Sequence, residues 1–164
     1  PFGTFDDGRE KAPTAFCRKI ANAKKNNKKI IDVWGDGKQT RSFMYIDDCI
    51  DGTLKLFNSN YRDPLNIGSD EMVTINTMIK YIETISKSGS LNKKYIPNGN
   101  LGVRGRNSDN TISKKILKWE YKTKLYEGLT KTYSWVENEI NFPPSLNESL
   151  VMLTIAIIFV SFLN

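Results

Sequence analysis

Apolar residues recur at helical spacing along much of the chain, and short apolar runs stand between these stretches. The predicted helices are residues 11–26, 47–58, 75–87, 111–117 and 125–140. The predicted strands are residues 30–34, 42–45, 64–67 and 94–96. Helices that alternate with short strands are typical of the α/β class.

Polar residues at the ends of these elements support the assignment. Thr74 precedes an apolar periodic stretch and is a good N-cap for the helix that begins at Ile75. Asp47 and Asp48 fall in the first turn of their helix, where the helix dipole favours negative charge, so we interpret them as structural and not as a catalytic dyad. The apolar face of that helix consists of Ile50, Leu54 and Phe57.

The turn between the first two strands is Asp36-Gly37, which predicts a hairpin-type connection. The number of strands is too low for a self-sufficient doubly wound domain. The Gly-x-Gly-x-x-Gly fingerprint of a dinucleotide-binding domain is absent from the sequence. If a dinucleotide is involved, its main cradle should therefore lie outside this chain.

Acid–base chemistry in this chain cannot use imidazole, because the sequence contains no histidine. It would fall to lysine, tyrosine, cysteine or carboxylate side chains. Cys17 and Cys49 both fall in predicted helices without metal-type spacing, and we interpret them as small buried apolar residues in a reducing compartment. A cytoplasmic location is the corresponding expectation.

Two arginines follow glycine-rich turns far apart in the sequence. Arg41 lies in the run from Gly35 to Phe43, and Arg106 lies in Gly-Val-Arg-Gly-Arg-Asn at residues 102–107. Guanidinium groups match phosphate oxygens two at a time, and glycine lets the backbone approach a ligand. The pair predicts a clamp for a diphosphate, in which Arg104 could be a supporting charge.

The formal net charge of +6 and the pI of about 9.3 favour anionic partners without choosing among them. A basic module that binds nucleotides or RNA without chemistry is the alternative. Binding of single-stranded nucleic acid would need exposed aromatic residues between the basic ones. We expect no nucleic-acid partner, because the candidate aromatics fall in predicted strands or helices and are interpreted as core: Trp34, Phe43, Tyr45 and Trp135.

Several motifs together closely resemble the GDP-mannose 3,5-epimerase family of extended short-chain dehydrogenase/reductases. They are Arg-Glu-Lys-Ala-Pro at 9–13, Trp-Gly-Asp-Gly-Lys-Gln-Thr-Arg at 34–41, Asn-Ile-Gly-Ser-Asp-Glu-Met-Val at 66–73 and Gly-Val-Arg-Gly-Arg-Asn at 102–107. The resemblance extends to about residue 140. It implies that residues 1–140 are the C-terminal, substrate-binding portion of this α/β fold, without the N-terminal Rossmann fingerprint.

The resemblance also implies a reaction. Members of this family hold NAD, oxidise the hexose of GDP-mannose at C4, exchange protons at C3 and C5, and reduce the ketone again. The product is GDP-L-galactose, on the route to ascorbate, and the enzyme is a homodimer. NAD and GDP-mannose, or a related sugar nucleotide, are thus the implied cofactor and substrate, with the main NAD site outside this chain.

Individual positions of this chain match functional positions of the family. Lys11 matches the acid–base lysine, although in isolation it would be a solvated charge at a helix start. The positions that match substrate-contacting residues are Glu10, Ala12, Lys19, Gln39, Thr40, Arg41 and Arg106. The catalytic cysteine and the Tyr-x-x-x-Lys pair have no counterpart here, and Cys17 is not the former. We therefore expect the isolated chain to be inactive.

Residues 141–164 depart from the resemblance and form a divergent tail. The run at 150–163 is almost wholly apolar, but it is shorter than the ~20 residues that a membrane-spanning helix needs. An added element, a weak membrane tail and non-native sequence all remain open, and we favour the last. No membrane association is expected.

Overall fold

The computed structural model describes residues 5–8, 10–97 and 103–143. Its helices are α1 (Ala12–Lys25), α2 (Ile46–Phe57), α3 (Ile75–Ser86), α4 (Thr111–Leu117) and α5 (Leu125–Asn141). Its strands are β1 (Ile30–Trp34), β2 (Thr40–Ser42), β3 (Met72–Thr74), β4 (Asn92–Ile96) and β5 (Gly105–Arg106). This arrangement confirms the α/β class.

The strands form two small sheets. β1 and β4 are parallel, with Ile30 opposite Asn92 and Trp34 opposite Ile96. The other sheet has the order β3-β2-β5, in which β2 is antiparallel to β3 and parallel to β5. The second sheet brings together segments that are at least 30 residues apart in sequence.

The core lies where α1, α3 and α5 pack on one another and on one face of β1. Ile31 and Val33 point from β1 into this core, whereas the alternate residues of the strand are exposed. The remaining core is supplied mainly by apolar residues at helical spacing, among them Phe16, Ile20, Ile79, Ile82, Leu129 and Val136. Cys17 belongs to it as predicted, and burial raises the pKa of its thiol to about 12.

The helix ends show why these segments begin where they do. Thr74 caps α3 as predicted, since its hydroxyl accepts a hydrogen bond of 3.0 Å from the Thr77 amide. Asp48, in the first turn of α2, is buried and accepts hydrogen bonds from the amides of Lys122 (3.1 Å) and Thr123 (2.9 Å). The structural interpretation of Asp48 is therefore confirmed.

The hairpin predicted at Asp36-Gly37 was wrong. β1 and β2 belong to different sheets, so the turn carries the chain from one sheet to the other. Gly35 and Gly37 both have positive φ (78° and 70°), and the Asp36 carboxylate accepts a hydrogen bond from the Lys38 amide. The Gly35 amide instead extends the β1–β4 ladder by donating to the Ile96 carbonyl.

Two strand predictions also need correction. The strand expected at 42–45 is β2, which begins and ends earlier, at Thr40–Ser42. The segment 64–67 forms no strand, since no other strand pairs with it among the described residues. The sequence also failed to predict β3 and β5, whose short segments become strands only by pairing with β2.

Helix α2 does not turn its apolar face to the core. Ile50, Leu54 and Phe57 are exposed, and Cys49 on the same helix is only half-buried. Trp34 was also interpreted as core, but it is 54% exposed because it lies on the outer face of β1. Phe43 and Trp135 do pack against the core.

Helix α5 extends to Asn141, and the boundary expected after residue 140 stays a prediction. The apolar run at 150–163 lies outside the described residues. Across residues 5–8, 10–97 and 103–143, none of the helices has the length and apolar character needed to cross a membrane.

Candidate functional site

The two arginines predicted to bind a diphosphate lie on neighbouring strands. Arg41 of β2 is directly opposite Arg106 of β5 in the parallel register. Paired residues of adjacent strands are about 4.8 Å apart and project from the same face of the sheet. The structure thus brings together two cationic side chains that are 65 positions apart in the sequence, as the clamp requires.

Backbone contacts hold this pair in place. The Arg41 guanidinium donates hydrogen bonds to the Thr40 carbonyl (2.6 Å) and to the Val103 carbonyl. The Thr40 amide donates to the Arg104 carbonyl at 2.9 Å, which fixes the register of β2 and β5. A Cβ on Gly105 would lie 2.9 Å from Thr40 Oγ1, so glycine allows the two strands to approach.

Gln39 and Glu10 share an unusual property. Their Oε1 and Oε2 atoms, respectively, are the buried side-chain oxygens without a hydrogen-bond partner in the part of the chain that the structure describes. The other end of each side chain is anchored: Gln39 Nε2 donates to the Trp34 carbonyl (3.0 Å), and Glu10 Oε1 accepts from Arg18 Nε (3.1 Å). Such acceptors are costly unless a donor reaches them.

Arg18 sets the charge of Glu10. Its guanidinium forms an ion pair with the largely buried carboxylate and lowers the pKa of Glu10 below the usual value. Glu10 is therefore a fixed anion that can only accept hydrogen bonds. The sequence interpretation missed the role of Arg18, because the pairing depends on how the Glu10 side chain, just before α1, lies along that helix.

Lys19 lies between Glu10 and Trp34. Its ammonium group donates to the Asp32 carbonyl (2.8 Å) and lies 5.1 Å from the Phe16 ring centre and 6.0 Å from that of Trp34. Burial lowers the pKa of Lys19, although the nearby Asp32 charge opposes this shift. Lys19 thus connects the start of α1 to the outer face of β1.

Trp34 is the second residue that the sequence interpretation missed. Its exposed ring lies on the same face of β1 as Asp32, two residues earlier. A charged residue at that alternate position is the signal that could have identified this face as the outer one. With Lys19 and Gln39 in contact with it, Trp34 joins the predicted binding residues of α1 to those of β2.

Lys11 and Ala12 mark the beginning of α1. Lys11 is its exposed N-cap residue, and its carbonyl accepts a hydrogen bond from the Ala15 amide at 2.9 Å. Pro13 lines a small cavity of about 60 Å³ together with residues 43–45, which directly follow β2. This places the start of α1 beside the end of β2, although in the described residues no hydrogen bond joins Lys11 to Arg41 or Arg106.

The glycine-rich turn of this chain differs from a dinucleotide-binding turn. The glycine-rich turn after β1 leads into β2, so it presents no helix N-terminus to a pyrophosphate. No group of three or more metal-binding side chains occurs within the described ranges either. What the arrangement offers is a pair of arginines on adjacent strands, two buried hydrogen-bond acceptors, a partly buried ammonium group and an exposed indole.

Part of the sequence matches a known protein family, and the fold resembles those of solved structures. Residues 1–68 match the NAD dependent epimerase/dehydratase family. The fold resembles that of UDP-glucose 4-epimerase from Thermotoga maritima, with a TM-score of 0.73 and 25% identity over 82% of this chain and 41% of that one. It also resembles UDP-glucuronic acid 4-epimerase from Bacillus cereus, solved with UDP-glucuronic acid and NAD (TM-score 0.65, 29% identity, 76% and 40% covered).

Some sequence relatives share a higher identity with this chain than these two structures do. The chain is 49% identical to GDP-mannose 3,5-epimerase 1 of Oryza sativa and 48% identical to GDP-mannose 3,5-epimerase of Arabidopsis thaliana, in each case over 140 residues. These alignments cover 85% of this chain but only 35% and 36% of the relatives. UDP-glucuronic acid decarboxylase 1 of Danio rerio is 34% identical over 110 residues, covering 67% of this chain and 26% of that protein.

The chain therefore belongs to the NAD-dependent epimerase/dehydratase family and has the fold of part of an extended short-chain dehydrogenase/reductase. Within that family it is similar to the GDP-mannose 3,5-epimerases, as its motifs predicted, and it spans about a third of their length.

Proposed function

We propose that this chain is the substrate-binding portion of a GDP-mannose 3,5-epimerase. The observation that carries the proposal is the position of the two buried, unpartnered oxygens. They belong to Glu10 and Gln39, both of which were predicted from sequence to contact the substrate. Sugar hydroxyls and the N–H groups of a nucleobase are the donors that such acceptors need.

The geometry suggests how the parts of the substrate are distributed. Arg41 and Arg106 hold the diphosphate from adjacent strands, because two parallel cations are matched by an anion with several oxygens. Gln39 and Thr40 contact the nucleotide end.

The hexose end lies toward the start of α1 in this proposal. Glu10 accepts a hydrogen bond from a sugar hydroxyl, Ala12 lines the ring, and Lys19 adds positive charge between the two ends of the site. Lys11 carries the proton that is exchanged at a ring carbon, since its exposed position at the N-cap lets the ammonium group reach a ligand.

NAD would supply the transient oxidation of the hexose, but the Gly-x-Gly-x-x-Gly fingerprint that holds a dinucleotide does not occur in this sequence. We therefore propose that the isolated chain does not catalyse epimerisation. The proposal extends to the expected context: a cytoplasmic, homodimeric enzyme that forms GDP-L-galactose for ascorbate synthesis.

Calorimetric titration of the full 164-residue chain with GDP-mannose tests the binding role. Arg106→Gln should weaken binding at least tenfold, since hydrogen bonds between charged groups contribute about 1.5–3 kcal/mol. Arg62→Gln is the matched control, because the hydrogen bonds of this exposed arginine in the described structure go to carbonyls of its own loop. Equal affinity in the two variants would contradict the diphosphate clamp.

Two further readouts separate the proposal from its alternatives. Binding to single-stranded RNA that GDP-mannose does not displace would indicate a basic nucleic-acid module. Isotope washout from C5 of GDP-mannose, catalysed by the isolated chain, would show that the expected inactivity is wrong.

A further inference from the structure

A polar cavity of about 550 Å³ lies between α3 and β4. It is lined by one side of α3, by loop residues 89–90 and by Lys93 and Tyr95 of β4. The residues proposed to bind the sugar nucleotide belong to other elements, namely α1, β2 and β5. The volume falls within the range of about 300–1,000 Å³ that small-molecule sites occupy, so we examined which ligand the lining would suit.

The cavity presents hydrogen-bond donors that have no acceptor. Lys80, on α3, is exposed, and its ammonium group has no ion-pair or hydrogen-bond partner among the described residues. The same holds for the Ser90 hydroxyl and for the amides of Gly89 and Ser90. Gly89 has a φ of +73° and no atom within 4 Å of an added Cβ, so a ligand can approach its backbone. Amide and hydroxyl donors beside a positive charge suit the oxygens of a phosphate group.

Glu83 is the carboxylate of the described lining, and its charge is balanced from within the protein. It is buried, and its Oε1 accepts hydrogen bonds from the Leu91 amide (2.8 Å) and from the Lys93 ammonium group (2.7 Å). Because Lys93 balances Glu83, Lys80 leaves the cavity with a net positive charge. Such a cavity favours an anionic ligand over a neutral or cationic one.

Two hydroxyl groups indicate what the ligand carries besides a phosphate. The Tyr95 hydroxyl donates to Asn76 Oδ1 at 3.2 Å, and the Thr84 hydroxyl donates to the Lys80 carbonyl at 3.0 Å. Because each hydroxyl already donates its single hydrogen, its oxygen is left to accept a hydrogen bond from a ligand. The hydroxyl groups of a sugar are donors of this kind, and a phosphate dianion has none.

We propose that the cavity between α3 and β4 binds a phosphorylated polyol of the size of a hexose phosphate. Lys80 and the backbone at residues 89–90 contact the phosphate oxygens. Thr84 and Tyr95 accept hydrogen bonds from the sugar hydroxyls. This site is additional to the proposed sugar-nucleotide site, and the inference does not depend on that function.

Amide chemical shifts of the full 164-residue chain, labelled with nitrogen-15, test the proposal. The probes are glucose 6-phosphate, inorganic phosphate and glucose, each titrated at constant ionic strength. Lys80→Gln removes the unbalanced charge. Lys55→Gln is the matched control, because Lys55 is an exposed lysine of another helix, α2, and also lacks a partner among the described residues. Both positions are exposed, so neither substitution should impair folding, and an otherwise unchanged spectrum verifies this.

Glucose 6-phosphate should shift the amides of Gly89, Ser90 and Lys93 to saturation, with higher affinity than inorganic phosphate. Lys80→Gln should weaken this binding at least about fivefold, and Lys55→Gln less than about twofold. Absence of the shifts, equal affinity in Lys80→Gln, or equally tight binding of inorganic phosphate or glucose would each overturn the proposal.

Arg106→Gln separates this site from the proposed sugar-nucleotide site. The variant should leave the shifts caused by glucose 6-phosphate unchanged, although it is expected to weaken the binding of GDP-mannose. Loss of these shifts in Arg106→Gln would place the ligand at the arginine pair and would also overturn the proposal. The two ligands are titrated separately, so either proposal can fail alone.

Discussion

At the scale of single residues, the candidate site is marked by two buried side-chain oxygens that have no hydrogen-bond partner among the described residues. Gln39 is anchored through its amide nitrogen, while its oxygen is buried without a donor in the described structure. Leaving such an oxygen unpaired costs about 1–3 kcal/mol of folding free energy. A ligand that supplies an N–H or O–H group recovers this cost on binding, which makes the residue informative about function.

Gln39→Met tests this idea by removing the acceptor while keeping the length of the side chain. We expect GDP-mannose affinity to fall about tenfold, because one hydrogen bond to the ligand is lost. Stability should change by less than about 1 kcal/mol, since loss of the bond to the Trp34 carbonyl is offset by removal of the unpaired oxygen. Calorimetric titration and urea unfolding measure the two effects. A large loss of stability with unchanged affinity would assign Gln39 a purely structural role.

The sequence motifs predicted which residues lie near one another better than they predicted the local environment of each residue. Arg41 and Arg106 were expected to lie close together, and they occupy paired positions of β2 and β5. Their binding of a diphosphate stays a prediction. Trp34 was misplaced, because a tryptophan in a five-residue apolar strand was assumed to face the core. Arg18 was overlooked, since its contact with Glu10 depends on how the chain just before α1 lies along that helix.

At the scale of elements, the helices were predictable and the strands were not. An α-helix satisfies its own hydrogen bonds, so local spacing was enough to predict α1, α3 and α5 to within one residue at each end. A strand needs a partner. β5 became a strand because β2 lies beside it, and residues 64–67 did not become one because the described chain offers no neighbour.

Asp48 illustrates how one carboxylate joins two elements. It receives the amides of Lys122 and Thr123, and these hydrogen bonds, together with the Lys122 charge, lower its pKa even though burial acts in the opposite direction. We predict that Asp48→Asn destabilises the protein by about 1–3 kcal/mol near pH 7. Asp47→Asn, in the same helical turn but exposed, should change stability by less than about 0.5 kcal/mol.

The effect of Asp48→Asn should depend on pH. Because the folded pKa lies below the ordinary value of 3.8, the carboxylate stabilises the protein fully above that value. This contribution is lost as the pH falls through the folded pKa. The difference in unfolding free energy between parent and Asp48→Asn should therefore be constant from pH 5 to 7 and shrink below pH 4. A constant difference down to pH 2.5 in urea titrations would contradict the assignment.

The turn that leads into β2 depends on Gly37. Its φ of +70° disfavours a side chain, and an added Cβ would overlap the Asn76 side chain. Gly89 is a matched control, since its φ of +73° is similar but no atom lies within 4 Å of an added Cβ. We expect Gly89→Ala to cost about 1 kcal/mol and Gly37→Ala about 2–4 kcal/mol in urea unfolding. Equal costs would show that Asn76 moves aside freely.

At the scale of the whole molecule, a well-packed core contrasts with an open edge in the described part of the chain. The helices α1, α3 and α5 bury a continuous set of apolar residues. In contrast, α2 exposes Ile50, Leu54 and Phe57, and among the described residues no strand pairs with residues 64–67. Such a division is expected of a portion of a larger fold, in agreement with its coverage of about a third of its relatives.

The salt dependence of binding offers the last test. Net charge attracts any anion, whereas the proposed arginine pair would bind one diphosphate at a fixed position. A formal charge of +6 attracts nucleic acid and sugar nucleotides alike. In the proposed function, GDP-mannose contacts two arginines at a fixed site, so we predict that its affinity falls less than about tenfold between 50 and 200 mM salt. A binding mode with six to ten phosphate contacts would lose about 10³–10⁵ over the same range. Titrations of GDP-mannose and of a single-stranded RNA at matched salt concentrations measure the two salt dependences. If both affinities fall steeply with salt, the basic surface, and not the arginine pair, determines binding.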